Sequence, residues 1–158
     1  MLCLLLYWAG LIIFVEYFTM PRLVKISHIG LATADVDAAL RFFSEGLGMP
    51  VSGGEDIAGD AVRVQFLPIG DSRLELLEPI GKEGPVQKFL ANRGPGIHHI
   101  CLEVEDLAGM LKQLAANGVE LLDQEPRPGA HGSLVAFVHP RSASGVLVEL
   151  VESGSGNG

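Results

Sequence analysis

The residues of this chain best suited to chemistry are His28, Glu75, His99 and Glu149, because they fall into two matched pairs. The segment ISHIGL at 26–31 matches IHHICL at 97–102 with a constant offset of 71 residues, which carries His28 onto His99. RLELLE at 73–78 matches LVELVE at 147–152 with an offset of 74, which carries Glu75 onto Glu149. Each glutamate stands between apolar neighbours in a strand-like run, where a charge is costly unless it faces water or a cation. Two imidazoles and two carboxylates suit a divalent ion. The carboxylates cancel its charge, and mixed nitrogen and oxygen ligation favours Co, Ni, Mn, Fe or Zn over calcium. Four protein donors of an octahedral set leave two positions for water or for two oxygens of one substrate, the arrangement by which a metal polarises a carbonyl. Taken singly, each residue has a plainer reading: a hydrogen-bonded, half-buried histidine, or a glutamate on the solvated face of a sheet. Only the two symmetry-matched pairs together point to a metal. His98 shares the IHHI stretch, but strand alternation points it away from His99, and the repeat register selects His99.

The elements that must hold these residues repeat as well. At the offset of 71, Asp35 falls on Asp106, Val36 on Leu107, Leu40 on Leu111, Arg41 on Lys112 and Phe43 on Leu114, without a gap. Each copy opens with an apolar, partly alternating run that suits a strand, and Asp35 or Asp106 follows where a helix N-cap is expected. Leu40 with Phe43, and Leu107 with Leu111 and Leu114, recur at three and four residues, so each helix has an apolar stripe to lay on a sheet. Gly46-Leu47-Gly48 and Asn117-Gly118 supply helix stops. Further strands are expected over 61–67, 73–78, 134–139 and 146–151, with turns at Gly70-Asp71 and Ser144-Gly145. The glycine-rich stretch GGEDIAGD at 53–60 is expected to be a loop. Each half therefore reads strand, helix, then two or three strands.

Composition narrows the classes. A chain of 158 residues, 48% hydrophobic, makes one ordinary globular domain. A net charge of −8 argues against a nucleic-acid partner, which needs a basic footprint. Two cysteines without CxxC spacing suggest neither disulfides nor a thiolate zinc site, and fit a reducing cytosol. Residues 1–15 are uncharged and almost wholly apolar, too short for a spanning helix of about 20 residues and without the marks of a secretory signal. Residues 1–19 are read as an N-terminal extension from a mis-assigned start, with a membrane or partner anchor as the alternative. Met20 would then be the natural beginning, residues 20–152 the folded domain, and 153–158 a flexible tail. With that start no membrane association is expected.

The motifs SHIGLA around His28, RLELLEP around Glu75, GIHHICLEV around His99, GAHG at 129–132 and HPRSASGVLVELVE at 139–152 together resemble the methylmalonyl-CoA epimerases of the vicinal oxygen chelate superfamily. The resemblance implies an α+β fold of two tandem βαβββ modules, about 25–80 and 96–152, forming a curved mixed sheet around a metal site. It implies His28, Glu75, His99 and Glu149 as ligands of a divalent ion, Co2+ foremost, with Mn2+, Ni2+, Zn2+ or Mg2+ as alternatives. The implied reaction interconverts (2R)- and (2S)-methylmalonyl-CoA by removal of the alpha proton through a metal-stabilised enolate, with Glu149 and Glu75 as the acid-base carboxylates. Some relatives carry a second acid where this chain has Val64, so Glu75, a bound water or Glu55 would serve the other face. Lys82, Lys88, Arg93, Arg127 and Arg141 are candidates for the coenzyme A phosphates or the substrate carboxylate, and His131 for the substrate channel. A homodimer in the cytoplasm is expected. The rival readings are a glyoxalase-type lyase on the same fold and a metal-free binding protein like the bleomycin-resistance proteins.

Overall fold

The computed structural model describes residues 3–8, 11–16, 20–129 and 132–154. Its centre is an antiparallel pair, β3 (Leu23–Ala32) against β7 (Gly96–Val104), the two strands that carry the repeated His motif. From β3 the chain passes through α1 (Val36–Leu40), β4 (Gly54–Ile57), β5 (Val62–Ile69) and β6 (Ser72–Pro79). After α2 (Pro85–Arg93) and β7 it repeats that course through α3 (Leu107–Ala116), the two-residue β8 (Arg127–Pro128), β9 (Leu134–Val138) and β10 (Leu147–Glu152). These strands form one eight-stranded mixed sheet, curled into a half-barrel, in the order β4-β5-β6-β3-β7-β10-β9-β8. Read outward from the centre in either direction, the pairings are the same. Each His strand is parallel to the last strand of its own half, and the outer pairs are antiparallel. Parallel neighbours need a crossover, which the helix and the intervening hairpin of each half supply. The expected βαβββ modules are thus present. Ahead of them β1 (Cys3–Trp8) and β2 (Leu11–Glu16) pair with each other in a separate two-stranded sheet.

Both expected N-caps form. The Asp35 carboxylate accepts from the Ala38 N–H and that of Asp106 from the Gly109 N–H, each at 2.8 Å. α1 continues as a wider, π-type turn over Arg41–Gly46 before the Gly46-Leu47-Gly48 stop. Leu107, Met110 and Leu111 of α3 pack on Val104, Ala136, Val138 and Leu150, with Leu114 partly buried beside them. A second core joins Ala32, Val62, Val64 and Leu77 to Val86 of α2, flanked by Phe89 and Leu90.

Two elements depart from expectation. The stretch 53–60 is not a loop throughout, since Gly54–Ile57 pairs antiparallel with β5 and Ala58–Asp60 forms a 3-10 turn. An edge strand needs only one partner, so its glycine content does not prevent pairing. α2 also lacked a sequence expectation; it starts with Pro85 in the first turn and stops at Gly94, whose φ of 76° suits glycine. Among the described residues no helix is long and apolar enough to cross a membrane.

Candidate metal centre and active site

Strand register brings the two matched pairs together. Across the central pair His28 faces Cys101 and Gly30 faces His99. Glu75 on β6 lies beside Gly30, and Glu149 on β10 lies beside Cys101, the residue that corresponds to Gly30 in the repeat. Side chains two apart share a face of a strand, so both histidines and both glutamates point to the same side of the sheet. Since β6 and β10 lie outside β3 and β7, the glutamates approach the histidine pair from its two flanks.

The resulting cluster is tight. His28 Nε2 and His99 Nε2 stand 3.0 Å apart. Glu149 Oε2 is 3.3 Å from the first and 3.4 Å from the second. A divalent ion with bonds of about 2.1 Å holds neighbouring donors about 3 Å apart, the size of this triangle. Glu75 offers an oxygen within 4.8 Å of donor atoms of both histidines. His28, Glu75 and His99 are only 7%, 7% and 8% exposed. Buried charges persist when paired or on a cation, and this donor set fits a divalent metal by its chemistry and spacing. Burial holds the His99 imidazolium down to about 4, opposed by the nearby Glu149, so at neutral pH its ring is the neutral form that can donate a lone pair. Glu149 lies below the ordinary carboxylate range: burial works against the anion, but the His28 hydrogen bond, His99 and the Cys101 S–H outweigh it.

Several partners in this layer carried no sequence expectation. Arg73 Nε donates to Glu75 Oε1 at 2.6 Å, and the i, i+2 spacing on one strand is the signal that would have found it. Cys101, fully buried, offers its sulfur within 4.8 Å of donor atoms of His28 and Glu149; burial raises its pKa well above the usual thiol value. Gly30 leaves room for a ligand. A Cβ there would lie 2.4 Å from His99 Cε1 and 2.7 Å from Nδ1. His98 does not simply turn away from His99, because its Nδ1 is 3.0 Å from His99 Nδ1.

The other candidates scatter. Val64 is 1% exposed in the second core, and Glu55 pairs with it from the edge strand β4, on the site-facing side. Paired residues share a face, but β4 is two strands from β6, about 10 Å away. Lys88 and Arg93 line a cavity of about 430 Å³ with Phe89, His98, Pro140 and Leu147, beside the His strand β7. Arg127 pairs with Asp123 at 3.1 Å. The Arg141 guanidinium, 78% exposed, lies 3.4 Å from Glu120 on the surface and outside the cluster. His131 falls outside the described residues.

Residues 27–137 match the Glyoxalase/Bleomycin resistance protein/Dioxygenase superfamily, and the chain belongs to it. It is 39% identical over 129 residues to methylmalonyl-CoA epimerase, mitochondrial, of Dictyostelium discoideum, covering 81% of this chain and 78% of that protein. Over 128 residues it is 38% identical to the ethylmalonyl-CoA/methylmalonyl-CoA epimerase of Cereibacter sphaeroides, covering 80% and 96%. Within the superfamily the chain is therefore a member of the methylmalonyl-CoA epimerase family. A solved structure of methylmalonyl-CoA epimerase in complex with methylmalonyl-CoA and NH4+ is similar at a TM-score of 0.78 and 38% identity, covering 85% of this chain and 97% of that one.

Proposed function

We propose that the chain interconverts (2R)- and (2S)-methylmalonyl-CoA at a divalent metal held by His28, Glu75, His99 and Glu149. The observation that carries this reading is the convergence of two imidazoles with carboxylates from both flanks on one buried face. The alpha carbon of the substrate lies between a thioester and a carboxylate, so its proton is weakly acidic. A bound divalent cation, Co2+ foremost, supplies positive charge against the negative charge that develops as this proton leaves. Glu149, kept anionic by its surroundings, accepts the proton while the C–H electron pair moves into the thioester. A proton drawn from water and relayed by Glu75 reaches the opposite face, and Glu149 returns the proton it took to water. Arg73 donates to Glu75 Oε1, which fixes the orientation of that carboxylate. Lys88 and Arg93, which line the cavity beside β7, supply positive charge for the phosphates of coenzyme A in this reading.

The reading extends to the setting of the protein. Residues 20–152 form the catalytic unit, with residues 1–19 outside it. The chain acts as a homodimer in the cytoplasm, whose reducing conditions suit the free Cys101 thiol. The test is alpha-proton exchange of both substrate epimers in heavy water, followed by NMR, with and without Co2+. Metal-stimulated exchange that disappears in Glu149→Ala is expected. Folded, Co2+-treated chain that leaves the alpha proton in place would overturn the assignment.

A further inference from the structure

The pairing of the two central strands shifts register three times, at Val24 and Ser27 of β3 and at His98 of β7, and the last two shifts are equivalent in the repeat. Gly30 faces His99, yet Leu31 faces Ile97, so His98 is an extra residue in β7. Ile26 faces Leu102, yet His28 faces Cys101, so Ser27 is an extra residue in β3. Positions 27 and 98 are themselves 71 residues apart, so the bulge is part of the internal repeat. A β-bulge breaks the strict alternation of side chains and re-aims the extra residue. In both halves that residue reaches the same atom of the histidine that follows it. Ser27 Oγ lies 3.4 Å from His28 Nδ1, and His98 Nδ1 lies 3.0 Å from His99 Nδ1.

A histidine that binds metal through Nε2 usually donates its Nδ1–H to a neighbour, and that bond sets both tautomer and ring orientation. We propose that His98 is the positioning residue for His99: it accepts a hydrogen bond from His99 Nδ1–H and thereby presents His99 Nε2 to the metal. The proposal rests on the metal reading above. The geometry agrees at three points. The two rings meet edge to face, with centroids 5.3 Å apart and planes at 86°. Phe89 of α2 supports the His98 ring at 5.1 Å between centroids. His99 Nε2 is left facing His28 and Glu149. The halves differ in that His99 Nδ1 is backed by an imidazole, whereas His28 Nδ1 faces the Ser27 hydroxyl at 3.4 Å and Glu75 Oε1 at 3.6 Å.

Two substitutions separate hydrogen bonding from packing. His98→Asn keeps an acceptor near the position of Nδ1 and loses the contact with Phe89; His98→Leu keeps apolar bulk and loses the acceptor. Co2+ affinity is measured by calorimetry on the full chain, with circular dichroism to confirm folding. The expected result is a loss of about 10- to 100-fold in His98→Leu, the range for removal of such partners, with most of the affinity kept in His98→Asn. The parent chain provides an independent reading. With 15N-labelled histidines and Zn2+ bound, nitrogen-nitrogen coupling across a His98–His99 hydrogen bond is expected by NMR. Equal Co2+ affinity in parent and His98→Leu, or no such coupling in the parent, would overturn the proposal while leaving the metal reading intact. A parent chain that takes up neither ion would overturn both.

Discussion

Replacing Gly30 with alanine tests whether the backbone of one half makes room for the ligand of the other. The added Cβ would stand 2.4 Å from His99 Cε1, 2.7 Å from Nδ1 and 3.0 Å from Nε2. Carbon atoms in contact prefer about 3.5–4.0 Å, so relief needs a movement of about 1 Å by the ring or the strand. Overpacking of this kind costs about 1–3 kcal/mol of stability. The functional loss is larger, since a misplacement of about 1 Å at a catalytic group can cost about 100-fold in rate. The expected outcome for Gly30→Ala is a folded chain, modestly lowered in melting temperature, with Co2+ affinity and alpha-proton exchange both reduced by about two orders of magnitude. Gly59→Ala is the control, because a Cβ there meets nothing within 4 Å. Calorimetric titration with Co2+, NMR exchange in heavy water and a thermal melt read the three quantities. If Gly30→Ala binds and exchanges like the parent, the close approach of His99 to the β3 backbone does not govern the site.

Other substitutions read other parts of the structure. Glu149→Gln removes the proposed proton acceptor while keeping the shape, and is expected to slow alpha-proton exchange by at least about 100-fold with little change in melting; retention of exchange would place the base elsewhere. Arg73→Ala frees Glu75 from its 2.6 Å hydrogen bond and is expected to lower kcat by about tenfold, more than it changes KM; equal values would mean that Glu75 needs no partner. Leu111→Ala, 2% exposed in the core beneath α3, is expected to cost about 2–5 kcal/mol in urea unfolding; a cost under about 1 kcal/mol would contradict the packing described. With a chelator present, acid should weaken the fold through His99. Its pKa is about 4 in the folded chain against a usual 6.5, so between these values the unfolded chain binds a proton that the folded chain does not. Stability then rises with pH through that window and is lost as pH falls from about 6.5 towards 4, by up to roughly 3 kcal/mol at 1.36 kcal/mol per unit. Urea melts at pH 7 and pH 5 check it, and equal midpoints would refute it.

How much of this could be read from the chain differs from residue to residue. His28, His99, Glu75 and Glu149 were legible because a repeated module places equivalent side chains at equivalent points of a sheet, and the offsets of 71 and 74 record that in one dimension. The helices after Asp35 and Asp106 were legible because capping is a local bond, formed within three residues of the cap. α2 was harder to see, being a short element between the modules with one fully buried residue, Val86. β4 escaped because the glycines in and around it favour a loop locally, while its pairing with β5 is settled by a partner strand.

The chain by itself therefore determined the modular plan and singled out the four candidate donors, since both rest on identity and spacing. The tertiary structure alone decided which strands neighbour one another, and so that Arg73 holds Glu75, that Gly30 yields space to His99, and that His98 stands in a bulge beside the ligand it was expected to avoid. A bulge exists only as a mismatch between two paired strands, and a close approach only as a distance between two backbones. Neither is a property of one segment, so each becomes visible only when the sheet is assembled.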